Sequence, residues 1–244
     1  MNKKICICSI LIERNDDNRY LNCGRNLIET NLQYTDYDII IITNNVDYFS
    51  DFKNDRLIII DYEKNYSENI ISDNRFNMHL KRYPIQMSSD LGYDIIFYND
   101  IDCYIIGWDS DSFIKKCNDD FDVAFASSVH PQLGGLRREY KHFQDKIDLE
   151  FGDLYYEELD MSPNPVETRV IFKNNDKLKL FLKFWDMISE RNNNYFTYHD
   201  GVYFGTSAVY SGMKMISVTR DDKFSSFCRI SHGENTLNYF GHKL

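Results

Sequence analysis

Four short apolar runs in the first half of the chain constrain the fold more than any other feature. They are ICICSILI (5–12), DIIIIT (38–43), RLIIID (56–61) and DIIFY (94–98). Each has the length and β-branched content of a strand that is covered on both faces. A segment with near-helical apolar spacing, RYLNCGRNLIETNLQY, separates the first two runs. This alternation predicts an α/β fold with a mostly parallel central sheet flanked by helices.

The second half is less regular. FDVAFASSV (121–129) and ETRVIFKNN (167–175) have the character of strands. DKLKLFLKFWDMISERNNN (176–194) predicts the clearest helix, because its apolar residues form one stripe, namely Leu178, Phe181, Leu182, Trp185 and Ile188. No repeat, low-complexity tract or obvious linker divides the chain, so we expect one domain.

Composition narrows the class of protein. With 28 basic and 38 acidic residues the net charge is -10, which argues against nucleic acid as a direct partner, although a local basic groove stays open. The six cysteines show no CxxC pair and no zinc-type spacing, as is typical of buried thiols in a reducing compartment. The start MNKKICICSILIERN has no small-residue cleavage site, and no run approaches the roughly 18 residues of a membrane span. We expect a cytoplasmic protein with no transmembrane segment; a peripheral membrane contact stays open.

Two carboxylates interrupt the apolar stretch YDIIFYNDIDCYIIG (93–107). Asp100 and Asp102 follow the fourth predicted strand, and open parallel sheets bind ligands beyond the carboxyl ends of their strands. Acids in such a stretch need a compensating charge. Carboxylates one residue apart suit a hard divalent cation, Mn2+ or Mg2+, which takes oxygen ligands. The pattern therefore predicts a metal site at this edge of the sheet.

An apolar strand, then Asp-x-Asp, then a second apolar segment resembles the nucleotide-sugar-dependent glycosyltransferases of the Rossmann-like A-type (GT-A) fold. The resemblance implies a single domain over residues 1–244, in which 1–107 bind the donor and 108–244 the acceptor. It implies transfer from a nucleoside-diphosphate sugar, expected to be a UDP-sugar, to a hydroxyl acceptor such as a glycan or lipid-linked glycan. The late histidine and the missing general-base signature favour a retaining reaction, with inversion left open.

The resemblance extends to the donor side. Tyr20 in RNDDNRY stands where the family holds the nucleotide base; the alternative is a ring that covers the core. Lys81 and Arg82 in HLKRYP stand where a basic residue reaches the diphosphate, unless they are a plain surface pair. The late segment CRISHGENTLNYFGHKL supplies Lys243 as a further diphosphate contact, and Asp100 is implied in donor as well as metal binding.

Catalytic and metal-binding residues are also implied. Glu167, in VETRVIFKNN, and Asp200, in YHDGVYFGTS, match positions that face the sugar or the acceptor. Glu167 could instead pair with Arg169, and Asp200 could simply cap a helix that begins near Gly201. The implied metal ligands are Asp100, Asp102 and His232, with His242 as the alternate histidine.

Three other functions fit parts of the pattern. A haloacid-dehalogenase-like phosphatase also uses Asp-x-Asp, but near the start of its chain. A nucleotidyltransferase of similar sheet order should carry a glycine-rich phosphate loop, and RNDDNRY contains no glycine. A non-catalytic nucleotide-sugar-binding module is the third, because Gly201 stands where relatives place a polar residue near the reacting carbon.

Overall fold

The structure, a computed structural model, describes residues 3–13, 19–66, 78–127, 165–191, 200–218 and 228–232. It describes the backbone alone at 19, 78–79, 126–127, 165–168, 188–191, 200–203, 206, 217–218 and 228–232.

The strands of the described residues divide into two sheets. They are β1 (Ile5–Leu11), β2 (Asp38–Thr43), β3 (Leu57–Asp61), β4 (Ile95–Asn99), β5 (Cys103–Trp108), β6 (Val123–Ser127), β7 (Pro165–Lys173), β8 (Met215–Val218) and β9 (Cys228–His232). The main sheet has the order β3-β2-β1-β4-β7-β6-β8, and β5 and β9 form a separate antiparallel pair. Among the described strands of the main sheet, β7 alone runs antiparallel to its neighbours. The prediction of a mostly parallel central sheet is confirmed.

The helices connect these strands. They are α1 (Arg19–Tyr34), α2 (Tyr62–Asn65), α3 (Arg82–Asp90), α4 (Ser110–Cys117), α5 (Asp176–Arg191) and α6 (Asp200–Tyr210), with 3-10 helices at Val46–Phe49 and Met78–Lys81. Capping carboxylates fix two of the starts: Asp61 accepts from the second and third N–H groups of α2, and Asp109 accepts from the N–H of Ser112 in α4. The helix predicted to begin at 176 begins there and extends to Arg191.

Alternate side chains of the buried strands form a core on each face of the sheet. One face packs under α3, α5 and α6, where the stripe of α5 buries Leu178, Phe181, Leu182 and Trp185. The other face packs under α1 and α4, where Leu27 and Phe113 lie among the buried side chains. Because both faces are covered, the parallel strands read as continuous apolar runs.

The β5–β9 pair packs beside α1 rather than joining the main sheet. Tyr104 of β5 is buried among the side chains of α1, and its hydroxyl lies 3.1 Å from the Cys23 sulfur. The chain therefore leaves the main sheet after β4, turns, and enters the second sheet. That turn contains the two acids noted in the sequence.

Candidate active site

The acid pair occupies the turn between the two sheets. β4 ends at Asn99, and β5 begins at Cys103. The N–H of Cys103 donates to the carbonyl oxygen of Asp100 at 2.9 Å. The Asn99 side-chain Nδ2 donates to the carbonyl oxygen of Cys103 at 2.6 Å. Asp100 and Asp102 thus leave the main sheet at its carboxyl edge, where sheets of this kind bind ligands.

Asp100 has its compensating charge in the chain itself. The Nζ of Lys81 lies 2.9 Å from its Oδ1 and 3.1 Å from its Oδ2. The hydroxyl of Tyr98 donates to the same Oδ1 at 2.7 Å. The side chains of Lys81 and Asp100 are 15% and 18% exposed, so water screens the pair less than it screens a surface ion pair.

Asp102 has different surroundings. Its Oδ1 lies 3.6 Å from the Cys103 sulfur, and within the described residues its carboxylate takes part in no ion pair. Burial, followed by the charges of Asp102 and Asp100, raises the pKa of the Cys103 thiol. This thiol therefore stays protonated at neutral pH, which makes it a poor nucleophile and metal ligand. Of the two acids, Asp102 is the one available to a cation.

Two further strands reach this turn. Residue His232, the last of β9, pairs with Cys103 in the β5–β9 register. In the main sheet Arg169 of β7 pairs with Asn99. Because β7 is antiparallel to β4, Glu167 lies two residues beyond the level of Asn99, on the carboxyl side of the sheet. The backbone therefore brings the predicted His232 and Glu167 to the edge where the acids lie.

Asp200 is the first residue of α6, so the helix begins one residue before Gly201. The capping alternative stays a prediction. The helix ends at Tyr210, and β8 starts at Met215, opposite Val123 at the amino edge of the sheet. Since α6 leads back to that amino edge, its first residue lies toward the carboxyl edge. The helix also packs against β7 and against the 3-10 helix that contains Lys81.

Tyr20 and Arg82 have contrasting positions. Tyr20, in the first turn of α1, is 55% exposed, so its ring is available to a ligand. The Arg82 side chain is only 5% exposed, and its Nε forms an ion pair with Asp186 of α5. Its guanidinium also lies 4.3 Å from the ring centre of Tyr83. Arg82 therefore links α3 to α5. Of the two neighbouring basic residues, Lys81 is the one whose side chain contacts Asp100.

A polar cluster at the ends of β1 and β2 was not found from the sequence. The amide of Asn44 exchanges two hydrogen bonds with the backbone of Glu13, at 2.8 and 2.9 Å. The Nδ2 of Asn45 donates to the Glu13 carboxylate at 2.9 Å. These bonds fix the start of the loop that leads to Tyr20. The available signal in the sequence was the position of Asn44 and Asn45 directly after an apolar strand.

Some predicted features lie outside the described residues. They are residues 128–164 of the predicted acceptor-binding half, residues 14–18 of the loop RNDDNRY, His242 and Lys243. Among the described residues, no group of three or more His, Cys, Asp or Glu side chains could hold a metal ion. The donor set is nevertheless of the right chemistry, because the carboxylates of Asp100 and Asp102 and an imidazole at His232 are ligands that Mn2+ accepts. The chemistry of these residue types fits a divalent cation, and the metal site itself stays a prediction.

The order of the described strands, with β7 antiparallel to its neighbours and helices on both faces of the sheet, is that of a GT-A-type fold. Comparison with solved structures agrees. Mouse xyloside xylosyltransferase 1 in its apo form is similar with a TM-score of 0.52 and 8% identity, over 86% of this chain and 83% of that one. This likeness establishes the fold alone.

Two other solved glycosyltransferases have lower TM-scores to this chain. The bifunctional glycosyltransferase WbbM in its apo form has a TM-score of 0.49 and 10% identity, over 89% of this chain and 39% of that one. The galactosyltransferase LgtC, in complex with donor and acceptor sugar analogs, has a TM-score of 0.45 and 12% identity, over 87% of this chain and 73% of that one. This chain thus spans well under half the length of WbbM.

No protein-family model and no curated protein matches the sequence. The helices of the described ranges include none that is both long enough and apolar enough to cross a membrane.

Proposed function

We propose that the protein is a metal-dependent glycosyltransferase that moves a sugar from a nucleoside-diphosphate sugar, a UDP-sugar in the first instance, to a hydroxyl acceptor with retention. The observation that carries the proposal is the turn of Asp100 and Asp102 at the carboxyl edge of a GT-A-type sheet. The two acids have unequal surroundings there, and the basic side chain of Lys81 is already in contact with Asp100. A glycan or a lipid-linked glycan is the proposed acceptor class.

Lys81 has two successive partners in this proposal. Without a donor it neutralises Asp100. A diphosphate offers the same kind of charged oxygen and forms equally strong charge-assisted hydrogen bonds. When the donor binds, Lys81 moves to a phosphate, and Asp100 is released to bind the donor or the metal. Donor and metal binding are coupled through this one ammonium group.

Other residues of the chain bind and orient the substrates. The exposed ring of Tyr20 stacks on the base, while Glu167 and Asp200 orient the sugar and the acceptor. Negative charge near the anomeric carbon stabilises the positive charge that develops there. Asp102, together with Asp100 and His232, would hold Mn2+ or Mg2+, and the bound metal neutralises charge on the departing diphosphate as a Lewis acid.

A thermal-unfolding screen tests the proposal. UDP-, GDP- and CDP-sugars are each added with and without Mn2+, and the unfolding temperature is measured. A donor at about 100 times its Kd stabilises the folded state by about 2.7 kcal/mol. We expect one donor to stabilise the protein only when Mn2+ is present. We also expect that donor to be hydrolysed slowly to the free sugar and its nucleoside diphosphate.

Two variants make the screen specific. Asp102→Asn should unfold cooperatively but lose the Mn2+-dependent stabilisation. Asp94→Asn is the matched control, because Asp94 lies before the amino end of β4 and accepts from the N–H of Lys4 at 2.7 Å. If no nucleotide sugar stabilises the wild-type protein, the proposed function is wrong. If a donor binds but neither transfer nor hydrolysis occurs, the non-catalytic binding module is correct.

A further inference from the structure

Asn99, the last residue of β4, closes the acid turn through its side chain. It is fully buried, and its Nδ2 donates to the carbonyl oxygen of Cys103 at 2.6 Å. The backbone bond from the N–H of Cys103 to the carbonyl oxygen of Asp100 spans the same turn. Two hydrogen bonds therefore set the path of the chain between the two acids, and one of them depends on a single side chain.

Stability of the strand does not explain an amide at this position. The Oδ1 of Asn99 is buried and has no hydrogen-bond partner in the described part of the chain. A buried acceptor without a partner costs about 1–3 kcal/mol, which is at least as much as a typical hydrogen bond contributes. The other side chains of β4 are Ile, Phe and Tyr. The bond from Nδ2 to the turn is thus the feature that an apolar side chain at position 99 would lack.

We propose that Asn99 is a positioning residue for the metal site. By holding the carbonyl of Cys103, it fixes where β5 begins and so fixes the backbone of Asp102 relative to Asp100. This inference rests on the proposed function. Replacement of an outer residue that orients a metal ligand typically weakens metal binding about 10- to 100-fold, and we expect the same range for Asn99. Lys81 and Tyr20 are not altered, so metal-free nucleotide binding should not change.

The experiment compares Asn99→Leu with a matched amide elsewhere. Leu has nearly the shape of Asn but cannot donate. Asn174 also donates from Nδ2 to carbonyl oxygens, those of Ser89 at 3.1 Å and Tyr93 at 2.9 Å, but it lies at the opposite edge of the sheet. Mn2+ affinity in the presence of UDP is measured by electron paramagnetic resonance, UDP affinity without metal by calorimetry, and stability by urea unfolding.

We expect Asn174→Leu to be less stable than the wild type and Asn99→Leu to differ little from it in stability, and only Asn99→Leu to bind Mn2+ roughly tenfold or more weakly. Equal Mn2+ affinities in Asn99→Leu and wild type, or an equal loss in Asn174→Leu, would overturn the proposal. If Asn99→Leu does not fold, Asn99→Ala, which removes the donor without adding volume, is tested in the same way. A wild-type protein that binds neither Mn2+ nor UDP overturns the proposed function and this inference together.

Discussion

Removal of the Lys81 ammonium group should change metal and nucleotide binding in opposite directions. In Lys81→Met the side chain keeps its apolar length but loses the charge that lies 2.9 Å from Asp100. Under the proposed function this ammonium repels a metal ion at Asp102 until a diphosphate draws it away. The variant should therefore bind Mn2+ more tightly without nucleotide, and UDP more weakly without metal.

The size of the effect follows from the burial of the pair. Two unit charges about 4 Å apart interact with about 1 kcal/mol in water and about 4 kcal/mol at an effective dielectric constant of about 20. Lys81 and Asp100 are 15% and 18% exposed, so neither limit applies in full. We take about 1.4 kcal/mol, which corresponds to a tenfold change in a binding constant. Mn2+ should bind about tenfold more tightly to Lys81→Met, and UDP about tenfold more weakly.

The assay is a titration with Mn2+ followed by electron paramagnetic resonance, in the absence of nucleotide, with a parallel calorimetric titration by UDP. Lys177→Met is the matched control, because the Nζ of Lys177 lies 2.7 Å from the carboxylate of Asp122 at the amino edge of the sheet. This control also removes one lysine from an ion pair, but far from the acid turn. It should leave both affinities unchanged.

Two results would refute the reasoning about Lys81. If Lys81→Met is folded and binds Mn2+ no more tightly than the wild type, the ammonium does not compete with a cation. Weaker binding of both Mn2+ and UDP would instead show that Lys81 holds the turn in shape, and the exchange of partners would be wrong.

Three further predictions address other parts of the site and the fold. Tyr20→Ala should weaken UDP binding by about 1–3 kcal/mol, the usual contribution of a stacked base, without lowering the urea midpoint, because the ring is 55% exposed; an unchanged calorimetric affinity would exclude stacking. His232→Ala should weaken Mn2+ binding more than about tenfold whereas His242→Ala should not, and the reverse result would identify His242 as the ligand. Burial tends to raise the pKa of Asp122, but this is outweighed by hydrogen bonds from Lys177, Lys214 and Asn175, so its pKa lies below the ordinary 3.8. A carboxyl group with a lowered folded pKa stabilises the protein above its unfolded pKa and loses that effect as the pH falls through the folded value. The urea midpoints of wild type and Asp122→Asn should therefore differ at pH 7 and converge only as the pH falls below 3.8 and through the lowered folded pKa, and a difference that persists once Asp122 is protonated would contradict this role.

Local patterns in the sequence were sufficient to predict the sheet and the position of the acids. The strands β1 to β4 are apolar runs that parallel packing requires, and α1 and α5 have apolar stripes with helical spacing. Asp100 and Asp102 interrupt such a run, so their position at a strand end follows from the cost of burying a charge. These features depend on a few neighbouring residues each.

The division of roles between Lys81 and Arg82 could not be predicted in the same way. Consecutive residues in a helical segment point about a quarter turn or more apart, so their side chains meet different neighbours. One of them reaches Asp100 of the turn and the other reaches Asp186 of α5. Which side chain takes which direction depends on how the 3-10 helix enters α3, and that is decided by packing against distant parts of the chain.

Pairings between distant segments were also beyond the sequence. β5 and β9 are short and lie far apart in the chain, so nothing local specifies that His232 pairs with Cys103. Arg169 likewise pairs with Asn99 in the strand register because β7 runs antiparallel to β4. The amide of Asn99 looks unremarkable at a strand end until its bond across the turn is known.

The two acids of the turn differ in a way that their spacing alone would not suggest. A symmetric pair of exposed carboxylates would attract a cation at any time and would repel a diphosphate until the cation was bound. Here Asp100 is already neutralised by Lys81, and only Asp102 is without an ion pair among the described residues. The charge of Lys81 therefore offsets that of Asp100 before any ligand binds. Under the proposed function this lowers the affinity for metal alone, and the diphosphate restores it by pairing with Lys81, so that donor and metal favour each other's binding.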